Sequence, residues 1–450
     1  MSAHAHAHAP GDRREIRGWM MYDWANSAFS TTVVTTLLGP YLASIARSAG
    51  GVNFLGFTFE PDAFFPTCVS ISVILQVLLL PLLGAIADYS TLKKRLLLSF
   101  ATAGGVATVL LFFIQAEMGL LSANGAVLLG GLLFIIANLS FGAAIVFYNG
   151  FLPDIAAPAD RDVVSSRGWA MGYLGGGLLL AINLAMITLM ENTGLAVRLS
   201  LASAGLWWLG FTYLFPARTL RQRPALKKLP AGETFLSQGV KQIIKTLGEI
   251  RTKYPETLRY LIAYLLYNDG IQTVIVVATL FAATELKAPE ESLILLVLLI
   301  QFVAFGGALF FGWLATRLGA KRSIVISLVI WSLIAIAAYA LLYEIWQLYV
   351  LGVAVAIVLG GSQALSRSLY SQVIPRANES EYFGFYEISE RGTSWIGPIF
   401  FAAAVQITGS TRVAILSVIL FFVVGLILLI PVNVRKAMVD SGNDPAGVVL

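Results

Sequence analysis

The sequence predicts an all-α membrane protein with twelve transmembrane helices in two pseudo-symmetric six-helix bundles. Three observations predict it. Apolar residues make up 58% of the 450, charged residues only 12%, and the mean hydropathy is +0.80, whereas soluble domains carry about 25% charged residues. The apolar residues fall in repeated runs of roughly the 20 residues that cross a hydrocarbon layer. Short motifs then recur in the same order in both halves of the chain, the mark of a duplicated membrane bundle.

The spans follow in order. Apolar runs occupy residues 18–46, 63–87, 95–116, 124–150, 168–190 and 198–216, and after a polar stretch they resume at 257–284, 291–316, 323–343, 346–370, 383–407 and 411–433. The chain thus divides into a disordered tail (1–15), an N-terminal six-helix bundle (16–216), a linker (217–256), a C-terminal six-helix bundle (257–433) and a tail (434–450). Within the linker, Leu236, Val240, Ile243, Ile244, Leu247 and Ile250 recur at helical spacing among Lys241, Lys245, Arg251 and Lys253. That pattern fits a helix lying on the inner membrane surface, or an ordinary cytosolic connector.

Charge orients the chain. Arg13, Arg14 and Arg17, then Lys93, Lys94 and Arg95, Arg161 and Arg167, the basic linker, Arg317, Lys321 and Arg322, Arg367, Arg376 and Arg391, and Arg435 and Lys436 all fall on one side of the alternation. The other side holds only Arg47, Arg198, Lys287 and Arg412. Both termini and the linker are therefore expected in the cytoplasm, in a multi-pass protein of the bacterial inner (plasma) membrane. The net charge of +5 is scattered over short loops and builds no nucleic-acid face.

His4, His6 and His8 all lie in the opening tract, and Cys68 sits alone in an apolar run. Imidazole relays, His-ligated metals, thiolate clusters and disulfides are thus excluded from the membrane body, and no cofactor is expected. A nucleophile with its base is missing as well, which argues against an enzyme. No phosphate-binding Gly-Lys-Ser or Gly-Lys-Thr appears, so movement driven directly by ATP is excluded. Gly168, Gly172 and Gly176, inside a span, are read as a close-packing stripe.

The repeats are specific. Gly84-Ala-Ile-Ala-Asp88 leads to Lys93-Lys94 as Gly312-Trp-Leu-Ala-Thr316 leads to Lys321-Arg322; Tyr148 with Pro153 parallels Tyr370 with Pro375, and Arg167-Gly168 parallels Arg391-Gly392. The loop after the second span resembles the glycine-aspartate-basic signature of the major facilitator superfamily, with Thr316 replacing the aspartate in the second copy. Met21-Tyr22-Asp23-Trp24-Ala25-Asn26-Ser27-Ala28-Phe29, Gly361-Ser-Gln-Ala-Leu-Ser-Arg367-Ser and Tyr382-Phe383-Gly384-Phe385-Tyr386 are similar to the branch related to the vacuolar amino-acid effluxer of yeast. The resemblance runs from about residue 16 to 433. It implies a transporter, with amino-acid efflux as the activity of the branch.

An ionisable group in hydrocarbon costs several kcal/mol unless paired or hydrated, so each is a functional candidate. Asp23 and Asn26 in the first span, with Asn268, Asp269 and Gln272 in the seventh, form a candidate substrate or proton site; Asp23, and Asp269 deeper in its run, have the alternative of a polar residue at the membrane interface. Asp88, Lys93, Lys94, Arg317, Lys321, Arg367, Glu387, Glu390 and Arg391 form a candidate gate. Glu387, Glu390 and Arg391, at i, i+3 and i+4, would share a face, either as a gate or as a static bridge. Gln76, Asn138, Asn149, Asn183, Gln301 and Gln363 line a path or glue helices together.

These residues describe a monomeric secondary transporter that alternates two bundles about a midplane site. Its expected partners are a small polar solute, foremost an amino acid, a proton or other coupling ion, and membrane lipid. Export of drug-like or lipid-like molecules on the same fold, and a receptor that transports nothing, are the alternatives.

Overall fold

A computed structural model of the chain describes residues 11–116, 121–225, 227, 229–230, 232–376, 378–392 and 396–450. The histidines of the opening tract lie outside the described residues.

In the first half α1 runs over Arg13–Ser48, α2 over Pro61–Asp88, α3 over Lys93–Phe113, α4 over Ala123–Ile155, α5 over Pro158–Leu189 and α6 over Thr193–Thr219. The linker holds α7, Phe235–Thr252. The second half continues with α8, Pro255–Thr284, α9, Glu290–Leu318, α10, Ala320–Leu341, and α11, Ile345–Val373. It closes with α12, Glu379–Glu387, α13, Ile396–Thr408, α14, Thr411–Leu429, and α15, Val434–Asp440. Eleven of the described helices are long and apolar enough to cross a membrane. The course of the eleventh span is taken by a π-helical turn, Ile388–Gly392, and the shorter apolar α13, with residues 393–395 between them outside the described set.

Local chemistry fixes the ends. Ser122 and Asn192 accept hydrogen bonds from the backbone N–H of Gly125 and Leu195, capping α4 and α6, and Pro61 occupies the first turn of α2, where its missing N–H costs nothing. A short hairpin, β1 (Val52–Phe54) and β2 (Phe57–Phe59), joins α1 to α2. Gly319 turns α9 into α10 at φ 86°, a conformation side chains resist, while the Val449 carbonyl approaches where a Cβ would stand.

One apolar cluster draws its members from Trp19 to Leu220, and the others from Ile250 to Met438, so each half buries its own core. Many large apolar side chains nevertheless point outward, among them Ile74, Leu78, Leu132, Ile182, Leu333 and Ile427. In water such a surface would aggregate; against lipid it is the expected exterior.

Both chain ends and the linker share one face, hereafter the terminal face. Asp12 and Glu15 receive hydrogen bonds from Arg221 and Arg223 of the linker, and Asn443 of the C-terminal tail donates to the carbonyl of Ile374 after α11.

Candidate functional site

Asp23 sits ten residues into α1 and Arg367 six residues before the end of α11, which runs back toward the terminal face. At 1.5 Å rise per residue the two lie at similar depth, and they meet across the boundary between the halves. Arg367 Nη2 donates to Asp23 Oδ2 at 3.1 Å, and Nη1 reaches Oδ1 at 3.4 Å. Both residues are buried, Arg367 at 3% and Asp23 at 6% exposure. A charge pair removed from water needs its remaining polar valences filled. Tyr148 donates its hydroxyl to Asp23 Oδ2 at 2.7 Å, while Arg367 Nε and Nη2 donate to the hydroxyl and carbonyl of Ser165, both at 2.9 Å.

Aromatic rings complete the enclosure. The guanidinium carbon lies 4.8 Å from the ring centroid of Trp19, 5.3 Å from Trp169 and 5.5 Å from Tyr148, within cation–π range. Trp19 stacks on Tyr148 with centroids 4.4 Å apart and donates its indole N–H to the Tyr148 carbonyl. Gly168 makes the space: a Cβ there would stand 2.6 Å from Asp23 Oδ2 and 3.0 Å from Arg367 Nη2. The next two members of its stripe pack as a close-contact seam, Gly172 against Ser27 and Gly176 against Thr31.

Toward the terminal face the halves are sewn together by further polar contacts. Asp162 accepts from Ser368 at 2.6 Å and from Gln372 at 3.0 Å, Arg161 donates to the Ser371 carbonyl at 2.6 Å, and Asn149 donates to Glu387 at 3.1 Å. Asp88 accepts from the backbone N–H groups of Ser380 and Glu381 at 3.1 and 2.9 Å, placing a carboxylate on the unsatisfied, positive end of α12. Away from that face, Tyr173 hydrogen-bonds Gln363, and the outermost described bond between the halves is Gln301 to Thr31 at 2.7 Å. The structure is therefore closed at the terminal face.

The amides divide in two groups. Gln76 with Asn138, and Asn183 with Thr32, bridge helices inside the first half. Asn149, Gln301 and Gln363 bridge the two halves.

Of the expected substrate or proton site, the structure places Asp23 in the inter-half pair and Asn26 one turn on, buried, its amide nitrogen without a described partner. Asn268 donates to the carbonyls of Ser389 and Glu390, the stretch where α-helix gives way to a π-turn. Asp269 is 1% exposed and meets no side-chain donor or cation among the described residues; the backbone of Gly397 passes against it. Gln272 is partly buried one turn further along α8. No described contact joins Asp23 to Asp269: Asp23 meets Arg367 and Tyr148, and Asp269 lies against the backbone of Gly397.

Of the expected gate, Arg367 pairs with Asp23. Lys93 pairs with Asp154 at 3.2 Å and donates to the Gly150 carbonyl, leaving Asp88 to the α12 backbone. The main-chain N–H of Lys94 binds Gln222. Lys321 donates to the carbonyls of Ile430 and Val432 within its own half, and Arg317 lies over the Trp313 ring on the exterior, so neither spans the halves. The i, i+3, i+4 register expected of Glu387, Glu390 and Arg391 is interrupted by the π-turn beginning at Ile388; the Arg391 side chain lies outside the described set.

The motif repeat has a structural meaning. Gly84 meets the Ser380 backbone, where a Cβ would stand 2.2 Å from its carbonyl oxygen, and Gly312 meets Ser166, 2.5 Å from a Cβ. Each glycine lets α2 cross α12, or α9 cross α5, at backbone range. Only the first crossing adds a carboxylate, since Thr316 hydrogen-bonds back to Trp313.

Sequence reasoning missed Tyr148, Trp19, Trp169, Ser165, Asp154, Asp162, Ser368 and Gln372. Tyr148 enters the sequence reading only as a repeat marker, and Asp162 carries no signal there beyond its position ahead of a span.

Two bundles joined by inter-half polar contacts at one face, together with the family model and the MFS-type relative given below, make this a transporter of the major facilitator superfamily, a class that moves solutes and is not enzymatic. Solved structures of this class share the fold: the human organic anion transporter MFSD10 superposes with a TM-score of 0.68 at 16% identity over 94% of this chain and all of that one, and the proton:xylose symporter XylE with 0.65 at 13% identity over 92% and 93%. The family model "Vacuole effluxer Atg22 like" matches residues 11–442, and the chain belongs to that family. The MFS-type transporter YxiO of Bacillus subtilis is 32% identical over 96% of this chain and 98% of its own. Autophagy-related protein 22-1 of Penicillium rubens is 26% identical over 95% and 91%.

Proposed function

We propose that this transporter exports amino acids or closely similar zwitterions by alternating access, coupled to an ion gradient, with the terminal face in the cytoplasm of a bacterial cell. The observation that carries this reading is the Asp23–Arg367 pair. Its carboxylate belongs to one half and its guanidinium to the other. When the terminal face opens, α1 and α11 part, and each buried charge loses the partner that offsets its desolvation. A molecule with one ammonium and one carboxylate replaces both partners at once. Trp19, Tyr148 and Trp169 then offer their faces to the incoming cation.

Asp269 supports the coupling part of the reading. Its carboxylate is buried in a span and no cation among the described residues lies beside it, which suits a group that passes a proton between the two sides. Asn26 and Asn268, one turn from or next to these acids, supply neutral polar contacts for the carried molecule. The charge alternation along the loops supports a cytoplasmic terminal face.

Uptake of labelled amino acids into inside-out proteoliposomes under an imposed proton gradient tests the proposal. Arg367→Gln is expected to abolish uptake, and Asp269→Asn to leave exchange while removing gradient-driven accumulation. A panel in which hydrophobic cations move and amino acids do not would favour drug export instead.

A further inference from the structure

The linker helix α7 has three faces. One packs on the first half: Gly239 lies against Leu82 and Ile86 of α2, and Gln238 and Gln242 hydrogen-bond the Tyr89 hydroxyl at 3.0 and 2.8 Å. The same side reaches the second half, where Thr246 and Gln242 face the Glu381 carboxylate and Ile250 enters the apolar core. Tyr89 follows Asp88 directly, and Glu381 supplies one of the N–H groups that Asp88 binds. One face of α7 therefore spans both sides of the closed crossing.

A second face is apolar and uncovered. Leu236, Val240, Ile244 and Leu247 are exposed at 59%, 46%, 68% and 57%. Its setting names the occupant. Leu82 and Ile86, against which α7 rests, continue the i+4 row of Ile74 and Leu78, which are outward-pointing residues of a membrane span. The apolar stripe of α7 thus extends a lipid-facing surface. The third face carries Lys241 and Lys245, both largely exposed although Lys241 pairs with Glu233 and Lys245 stands 3.9 Å from Glu249; over residues 233–253 four cations stand against two carboxylates, leaving a net positive face. An apolar stripe flanked by basic residues at the end of a span is complementary to an anionic lipid headgroup layer.

We infer that α7 is a lipid-responsive brace: it lies in the adjoining leaflet, binds anionic headgroups through Lys241 and Lys245, and thereby favours closure of the terminal face. Differential affinity is the necessary condition for such an effect, and the geometry supplies it. Tyr89 and Glu381 move apart when the halves separate, so α7 must leave one of them and shift relative to the bilayer it is embedded in. The inference rests on opening at the terminal face and not on which solute is carried.

The test reads the face directly, so it stands whatever the flux assays give. Ser371, buried at the seam, is made reactive as Ser371→Cys in a Cys68→Ser background, and the full-length protein is reconstituted in phosphatidylcholine alone or with phosphatidylglycerol added. Maleimide labelling from the terminal face is expected to slow about five-fold in the anionic mixture, with the difference lost in Lys241→Gln/Lys245→Gln. Tyr89→Phe is expected to lose it as well, although brominated lipid still quenches a bimane fluorophore attached at Ile244→Cys in the Cys68→Ser background. Equal labelling in both mixtures overturns the inference, as does a lipid effect that survives the double lysine variant. Absence of quenching of the bimane at Ile244→Cys also overturns it, and would point to a soluble partner on that face.

Discussion

Arg367 and Asp23, 344 positions apart in the chain, are in contact at 3.1 Å and form the one ion pair between the first span and the tenth among the described residues. Removing one member of a buried pair leaves the other uncompensated, at a cost of about 3–5 kcal/mol. Asp23→Asn and Arg367→Gln should therefore each lower the melting temperature measurably in detergent. The double variant Asp23→Asn/Arg367→Gln should recover much of that loss while staying inactive in flux assays. Full additivity of the two losses would show that the pair is not coupled.

Gly84→Ala introduces a methyl group 2.2 Å from the Ser380 carbonyl oxygen and 2.8 Å from the Glu381 Cα, both backbone atoms that cannot rotate away. Closure at the terminal face should be blocked. Labelling of Ser371→Cys from that side should rise by an order of magnitude or so, about what a destabilisation of 1–3 kcal/mol gives for an overpacked contact. Unchanged labelling would mean that α2 and α12 do not need this approach.

Asp88→Asn keeps an acceptor for the N–H groups of Ser380 and Glu381 but removes the negative charge from the start of α12. Charge–terminus interactions contribute about 0.3–1 kcal/mol, and about 2 kcal/mol when partly buried. A shift toward the open terminal face of roughly two- to thirty-fold is expected, and spin-label distances between the halves would measure it. Asp88→Ala should shift the balance further.

Glu379 lies just ahead of the eleventh span at the terminal face, and its carboxyl is pushed up to about 7 by burial, with Asp154 and Asp88 adding to the rise and Lys93 opposing it. A carboxyl raised above its ordinary value is held neutral by the closed structure, so ionisation works against closure. That penalty is absent below the ordinary glutamate range near 4.3 and complete above about 7. Closure should thus weaken as the pH on that side rises from 5 toward 8. Glu379→Gln should flatten the profile; a profile that persists in the variant would assign it to another group.

Much of the architecture was legible because lipid imposes few solutions. Run length gave the spans, and the order of Gly84, Tyr148 and Arg167 beside Gly312, Tyr370 and Arg391 gave the duplication. The sequence marks Asp23 as a charge in a span and Arg367 as a basic residue of the gate on the terminal side, and it assigns them different tasks, since sequence separation conceals depth. Counting residues from the ends of α1 and α11 would have paired them. The departure from α-helix at Ile388 and its effect on the register of Glu387 and Glu390 leave no mark in the periodicity; Asn268, far away in the sequence, donates to two carbonyls of that turn. Asp154 was overlooked as a partner for Lys93 because a loop acid beside a span looks like ordinary surface charge.

The unequal repeat has a mechanical corollary. A door hung on two identical latches swings either way with equal ease, but here one crossing is fastened by a carboxylate and the other merely fits, glycine against serine. Release at Asp88 would free one edge while Gly312 and Ser166 continue to bear on each other as a fulcrum. Thr316, the residue in which the second copy departs from the first, would thus decide which edge serves as the hinge.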